Sequence, residues 1–195
     1  MMCIPKMDFQ HIYTEFYPKI LRYLTKLTSN KEEAEDLTQD VFIKVNNSLG
    51  NFEGRSSLST WIYKIATNTA NDRFRSAAYQ KGHKQTLTGE FLEENKEDKN
   101  VWTGEKTATT DKIIEKEEMN SCVKRYVEDV NENYRTVFVL SEYEGVKNKE
   151  IADILGLSLD SVKIRLFRAR TQLKKKMEKG CTISPDDTGL FCDEK

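Results

Sequence analysis

Between residues 158 and 179, eight Lys/Arg side chains stand against two acidic ones, a local charge of +6. If this stretch is helical, Val162, Leu166, Ala169 and Leu173 recur at i, i+4, i+7 and i+11 and make one inward stripe. At 100° per residue, Arg165, Arg168, Lys175 and Lys179 then fall on one flank of the opposite face. Lys163, Arg170 and Lys174 fall on the other, with Asp160 and Ile164 between. A helix in a major groove meets phosphates on both sides and base edges along its floor, so this distribution is suited to reading duplex DNA. The plain alternative is a solvated basic face on a structural helix. What precedes it favours the first reading. In NKEIADILGLSLDSVKIRLFRARTQLKKK (residues 148 to 176), Ala152 is the small residue where two helices cross and Gly156 occupies the turn. Ile151, Leu155, Leu157 and Val162 lock the second helix onto the first, as a helix-turn-helix requires.

A second constellation lies in a helix from Leu58 to Ser76. Lys64, Asn68, Asn71 and Arg75 stand at i, i+4, i+7 and i+11, a stripe of hydrogen-bond donors beside an apolar face. The preceding loop, GNFEGRSS, adds small residues, Arg55 and Phe52, which could line a pocket for an unstacked base. A third is acidic. Asp36, Gln39, Asp40 and Ile43 share the face opposite Ala34, Leu37, Val41 and Val45, placing an apolar side chain among carboxylates as protein interfaces do.

The elements that must carry these residues are helical throughout. Gly and Pro together are scarce, and no Pro lies between Pro18 and Pro185. Phe9 to Leu27, Ala34 to Leu49 and Leu58 to Thr69 recur at three- and four-residue steps, with a break at Ser29-Asn30 and a loop from Gly50 to Ser57. From Ala77 to about Thr110 the periodicity disappears into a polar stretch read as a mobile linker. It returns at Ile113 and runs through Val130 and Phe138. Arg135 to Leu140 could by propensity form a strand, but a lone strand would have no partner, so helix is preferred. Two short helices follow, and the last fifteen residues read as a tail without clear structure. The expected fold is all-α, two small helical domains joined by a flexible linker: residues 1–76, linker 77–111, residues 112–179 and a tail 180–195 of unknown role.

The whole-chain charge of -1 points to no partner, but local sums do: -4 over residues 31–53, +4 over 61–84 and -6 over 90–133. Apolar residues make up 37% and charged ones 32%, the latter above the roughly 25% of an average domain, which argues against one large core. No apolar run is long enough for a membrane span, so a cytoplasmic protein is expected. The four cysteines form no CxxC pair, His11 and His83 are far apart, and no phosphate-loop or hydrolase signature occurs. No catalytic residue, cofactor or metal is expected. Cys181 and Cys192 in the tail are read as free thiols, and Cys122 as packing.

In this order, EEAEDLTQDVFIKV, FEGRSSLSTWIYKIATNTANDRFRS, a polar linker and RTVFVLSEYEGVKNKEIADILGLSLDSVKIRLFRARTQLKKK closely resemble the extracytoplasmic-function (group IV) sigma factors of the sigma-70 superfamily. The resemblance covers about residues 8 to 179 and implies region 2 in the first domain and region 4 in the second. It implies a non-catalytic subunit of bacterial RNA polymerase. Asp36, Gln39, Asp40 and Ile43 would bind the β′ clamp helices, and the β flap is the other part of the polymerase expected as a partner. Phe52, Arg55, Lys64, Asn68, Asn71 and Arg75 would recognise and open the −10 element of promoter DNA. Ser158, Asp160, Ser161, Lys163, Ile164, Arg165, Arg168, Arg170 and Lys174 would bind the −35 element. An anti-sigma factor is a further partner the resemblance allows. Ile164 stands where the family commonly has Ser, so its −35 base preference is expected to differ. The competing class is a helix-turn-helix regulator acting without polymerase, which the second domain permits but the first does not resemble.

Overall fold

The computed structural model describes residues 8–76, 121–186 and 189–194. The expected linker, and the periodicity expected from Ile113 up to residue 120, lie outside them. The N-terminal half is three helices, α1 (Phe9–Thr28), α2 (Lys31–Ser48) and α3 (Leu58–Arg75), with a 3₁₀ turn at Leu49–Asn51. Each start is set by a short polar side chain accepting a bond from an otherwise orphaned backbone N–H: Asp8 from Gln10, Asn30 from Glu33 and Ser57 from Thr60, each at 3.1 Å. Ser29, at φ 57°, ends α1 in the left-handed region and turns the chain directly into α2. Ile20, Tyr23, Leu24, Val41, Val45, Ile62 and Ala66 close the core of this bundle with almost no exposure.

The C-terminal half begins with α4 (Ser121–Glu128) and α5 (Glu132–Phe138) and continues through a π turn at Val139–Tyr143. The stretch RTVFVL is therefore helical, as its lack of a strand partner predicts. Val137, Val139 and Leu140 are completely buried, which explains its continuous apolar run. Then come α6 (Asn148–Leu155) and α7 (Leu159–Gly180), the two helices of the helix-turn-helix. Gly156, at φ 65°, makes the turn between them, and its N–H bonds to the Ala152 carbonyl. Ser158 caps α7 by accepting from the Ser161 N–H at 3.1 Å.

The tail corrects the sequence-based expectation. Cys181–Asp186 (β1) and Gly189–Glu194 (β2) pair antiparallel, from Cys181 opposite Glu194 to Asp186 opposite Gly189. Pro185 and Gly189 in sequence speak against regular structure, yet they lie close to one point, where Asp186 pairs with Gly189 and the hairpin reverses. The flanking Thr182, Ile183, Leu190 and Phe191 suit strands. The fold of the described residues is thus helical with one appended hairpin.

The two halves pack on each other. α3 lies against α6, α1 reaches the π turn, and the buried apolar side chains of both halves form one continuous cluster.

Candidate nucleic-acid and partner interface

The acidic surface is built by α2. Its inward residues Ala34, Leu37, Val41 and Val45 are buried, which turns Asp36, Gln39 and Asp40 to solvent and leaves Ile43 58% exposed. Asp36, Leu37, Gln39 and Asp40 line a shallow depression with Glu33 and with Arg73 from α3. Arg73 donates to Glu33 at 3.0 Å, so the depression is acidic with one basic edge already paired. Sequence reasoning missed the aromatic cluster beside it. Tyr13 and Tyr17 lie with ring centroids 5.0 Å apart, and Phe42 stands 5.0 Å from Tyr13. The signal was present as Phe9, Tyr13 and Tyr17 at i, i+4 and i+8. Burial, then the neighbouring Tyr13 and Glu35, hold the Tyr17 hydroxyl above the usual tyrosine range.

On α3 the donor stripe is intact. Lys64, Asn68 and Arg75 are exposed and Asn71 half-buried, over about 17 Å of helix. The opposite side carries Ile62, Ala66, Ala70 and Phe74 into the core. The preceding loop folds back so that the Phe52 ring sits 5.0 Å from Trp61. Gly54, at φ 69°, takes a conformation that a side chain would strain. Arg55 is ion-paired to Glu53 and exposed. Phe52, Trp61 and the stripe therefore form one surface, an aromatic step beside amide and cationic donors.

On α7, Val162, Leu166 and Ala169 are buried and Leu173 packs against them, as the stripe predicts. Lys163, Ile164, Arg168, Arg170 and Lys174 are exposed, and Arg165 is half-buried. The nine residues expected on the DNA side share this helix and its cap, but several are already engaged. The Ser158 hydroxyl donates to that of Ser161 at 2.9 Å. Asp160 pairs with Lys163 at 3.3 Å and Lys174 with Glu178 at 3.8 Å. Arg168 donates to the Tyr134 hydroxyl at 3.3 Å. Arg170 is clamped on Glu142, its Nε at 3.2 Å. Phe167, 58% exposed next to Ile164 at 50%, was not singled out from sequence. These two give the exposed side of α7 an apolar patch.

Residues 12–79 match sigma-70 region 2 and residues 121–173 match sigma-70 region 4. The chain is 31% identical to the RNA polymerase sigma factor YlaC of Bacillus subtilis, over 88% of this chain and 93% of that one. The chain belongs to the extracytoplasmic-function branch of the sigma-70 family. It is likewise 29% identical to the ECF RNA polymerase sigma-E factor of Haemophilus influenzae, over 89% of each chain. Among solved structures, the fold matches the sigma factor RpoE in complex with the anti-sigma factor NepR from Bartonella quintana. The TM-score is 0.61 at 21% identity, covering 88% of this chain and 97% of that one. It also matches CnrH in complex with the cytosolic domain of CnrY, at a TM-score of 0.59 and 20% identity over 88% of each chain. Members of this family are transcription initiation factors without catalysis of their own. In this sigma factor α1 to α3 form region 2, and α4 to α7 form region 4. Among the described residues no helix is long and apolar enough to cross a membrane, and no His/Cys/Asp/Glu group is placed to hold a metal ion.

Proposed function

We propose that this sigma factor binds bacterial core RNA polymerase through the α2 face and reads a promoter with α3 and α7, acting in the cytoplasm. The observation that carries this reading is the coexistence of three surfaces of matched chemistry in one chain: acidic with an exposed Ile43 on α2, donor-rich with an aromatic step on α3, and cationic on α7. Asp36, Gln39, Asp40 and Ile43 would dock on the β′ clamp helices, and region 4 on the β flap. Opposite charge would speed the encounter and an apolar centre would slow dissociation. On the −10 element, strand separation exposes base faces and edges. Phe52 and Trp61 offer a stacking surface and Asn68 and Asn71 offer donors, so the protein captures melted bases and shifts the opening equilibrium.

On the −35 element, Lys163, Arg165 and Lys174 on the flanks would hold phosphates while Ile164, between them, faces the groove floor. Anti-sigma factors hold relatives such as RpoE of Bartonella quintana, and a protein of that kind is a third partner proposed here. A helix-turn-helix regulator acting without polymerase would have no use for the α2 face or the α3 stripe. Reconstitution with core polymerase followed by mapping of transcript 5′ ends tests the reading. Start sites sharing −10 and −35 sequences are expected. Duplex binding that never redirects polymerase would favour the regulator.

A further inference from the structure

Phe9, Tyr13 and Tyr17 stand about one turn apart on α1, and their rings form a ladder with centroids 6.0 Å and then 5.0 Å apart. Phe42 of α2 backs the ladder, 5.0 Å from Tyr13 and 5.9 Å from Tyr17. Phe42 is buried and belongs to the core, whereas Tyr13 is 36% exposed and Tyr17 half-buried, so folding leaves part of both rings in water. An aromatic layer at the surface gains free energy when another molecule covers it.

The charges beside the layer select what that molecule offers. On α2, Glu35 is near enough to help raise the Tyr17 hydroxyl, after burial and Tyr13. Its ion pair with Lys31 is long, 3.8 Å, and the lysine side chain is 79% exposed, so water screens the pair and the carboxylate keeps acceptor capacity. On α1, the exposed neighbours Gln10 and Thr14 are uncharged, and Lys19, Arg22 and Lys26 fall on the opposite flank of the helix. The face of a tyrosine ring is its electron-rich side, so rings beside a carboxylate and away from cations attract a positive group. A guanidinium suits this place better than an ammonium. It is planar and weakly hydrated, it stacks on rings, and it donates in a fork to a carboxylate.

The position of the layer decides which partner covers it. Ile43 follows Phe42 in the chain, so the Tyr13 ring lies within roughly 13 Å of the Ile43 backbone. A protein interface of ordinary size covers about 800 Å² on each side, a disc of about 16 Å radius. A partner centred on Ile43, with Asp36 and Asp40 beside it, therefore reaches the rings. We propose that Tyr13, Tyr17 and Glu35 form an arginine seat that carries the polymerase interface from α2 onto α1, with an arginine of core polymerase lying across the rings and donating to Glu35. The proposal rests on α2 being the face that meets polymerase. The two parts do different work: exposed Asp36 and Asp40 speed the encounter, whereas a stacked and partly dehydrated guanidinium slows dissociation.

The test replaces Tyr13 in the full chain by phenylalanine and by its mono-, di- and trifluorinated forms. Fluorine withdraws electron density from the ring face and changes ring size little, so the series varies the attraction for a cation at nearly constant apolar area. Competition for core polymerase against the unmodified factor reads the affinity, and thermal melting of each variant checks the fold. Affinity should fall steadily with each fluorine, about tenfold across the series, mainly through faster dissociation. Glu35→Gln should weaken binding about fivefold. A flat fluorine series overturns the seat, and it does so even where Tyr13→Ala binds more weakly, because the layer is then an apolar contact only. Charge reversal of Asp36 and Asp40, run in parallel, separates the two readings. Lost binding on reversal with a flat series keeps the α2 face and removes the seat. A sloping series with no loss on reversal removes the α2 face and keeps the seat.

Discussion

Arg170 on α7 is bound through its guanidinium to Glu142, whose side chain is only 6% exposed in the π turn of the same domain. An arginine expected at DNA from its place on the basic flank thus also holds region 4 together. Arg170→Ala leaves a buried carboxylate without its main partner. It should lower the stability of region 4 by about 1–3 kcal/mol in chemical denaturation. Arg170→Ala and Glu142→Gln combined should cost less than the sum, since both remove the same pair.

Charge reversal of Asp36 and Asp40 should weaken binding to core polymerase at least tenfold and leave thermal stability unchanged. Both side chains are exposed and pair with nothing the fold needs. A competition titration against the unmodified factor reads the affinity. Equal competition would remove the α2 face from the interface.

Lys174→Ala and Ile164→Ser should separate positioning from reading on α7. The first loses about one unit from the salt dependence of −35 binding and weakens all sequences alike. The second should leave the salt slope intact and change the preferred base at one −35 position, because it removes an apolar surface and supplies a hydroxyl. A binding titration over randomised −35 duplexes at several salt concentrations distinguishes the two.

Asn68→Ala should still form a closed promoter complex through α7 but show weaker permanganate reactivity near the start site. Asn68 is exposed on α3, so its loss removes a partner for melted bases without disturbing the core. Full reactivity would exclude Asn68 from strand capture.

Alkali should destabilise the protein through its buried tyrosines. Burial, and then Glu144, raise the Tyr63 hydroxyl well above its ordinary value of 10.0, and burial pushes Tyr143 up to about 12. A raised native value means the unfolded chain releases its proton first. The stability contributed is therefore complete below pH 10 and falls as pH rises above it, by about 1.4 kcal/mol per unit for each group still protonated in the native state. In Tyr63→Phe the slope of unfolding free energy between pH 10 and 12 should shrink by about one proton. An unchanged slope would mean Tyr63 titrates normally.

What the sequence alone determined is what periodicity controls. An α-helix repeats every 3.6 residues, so Val162, Leu166 and Ala169 declare the buried side of α7 and thereby turn Lys163, Ile164 and Lys174 outward. The same local rule exposes Asp36, Gln39, Asp40 and Ile43 on α2 and Lys64, Asn68 and Arg75 on α3. Gly156 and Ser158 mark the helix-turn-helix by their own conformational and capping preferences. The tertiary structure alone decided which outward side chains are already taken. Arg170 finds Glu142, Arg73 finds Glu33, and Tyr63 finds Glu144 at a separation of 81 residues. No periodicity links such pairs. They depend on how whole helices dock, and docking is set by the sum of many small apolar contacts rather than by any short pattern. For the same reason α3 and α6, each amphipathic in its own right, do not reveal in sequence that they cover each other; only the packed chain does.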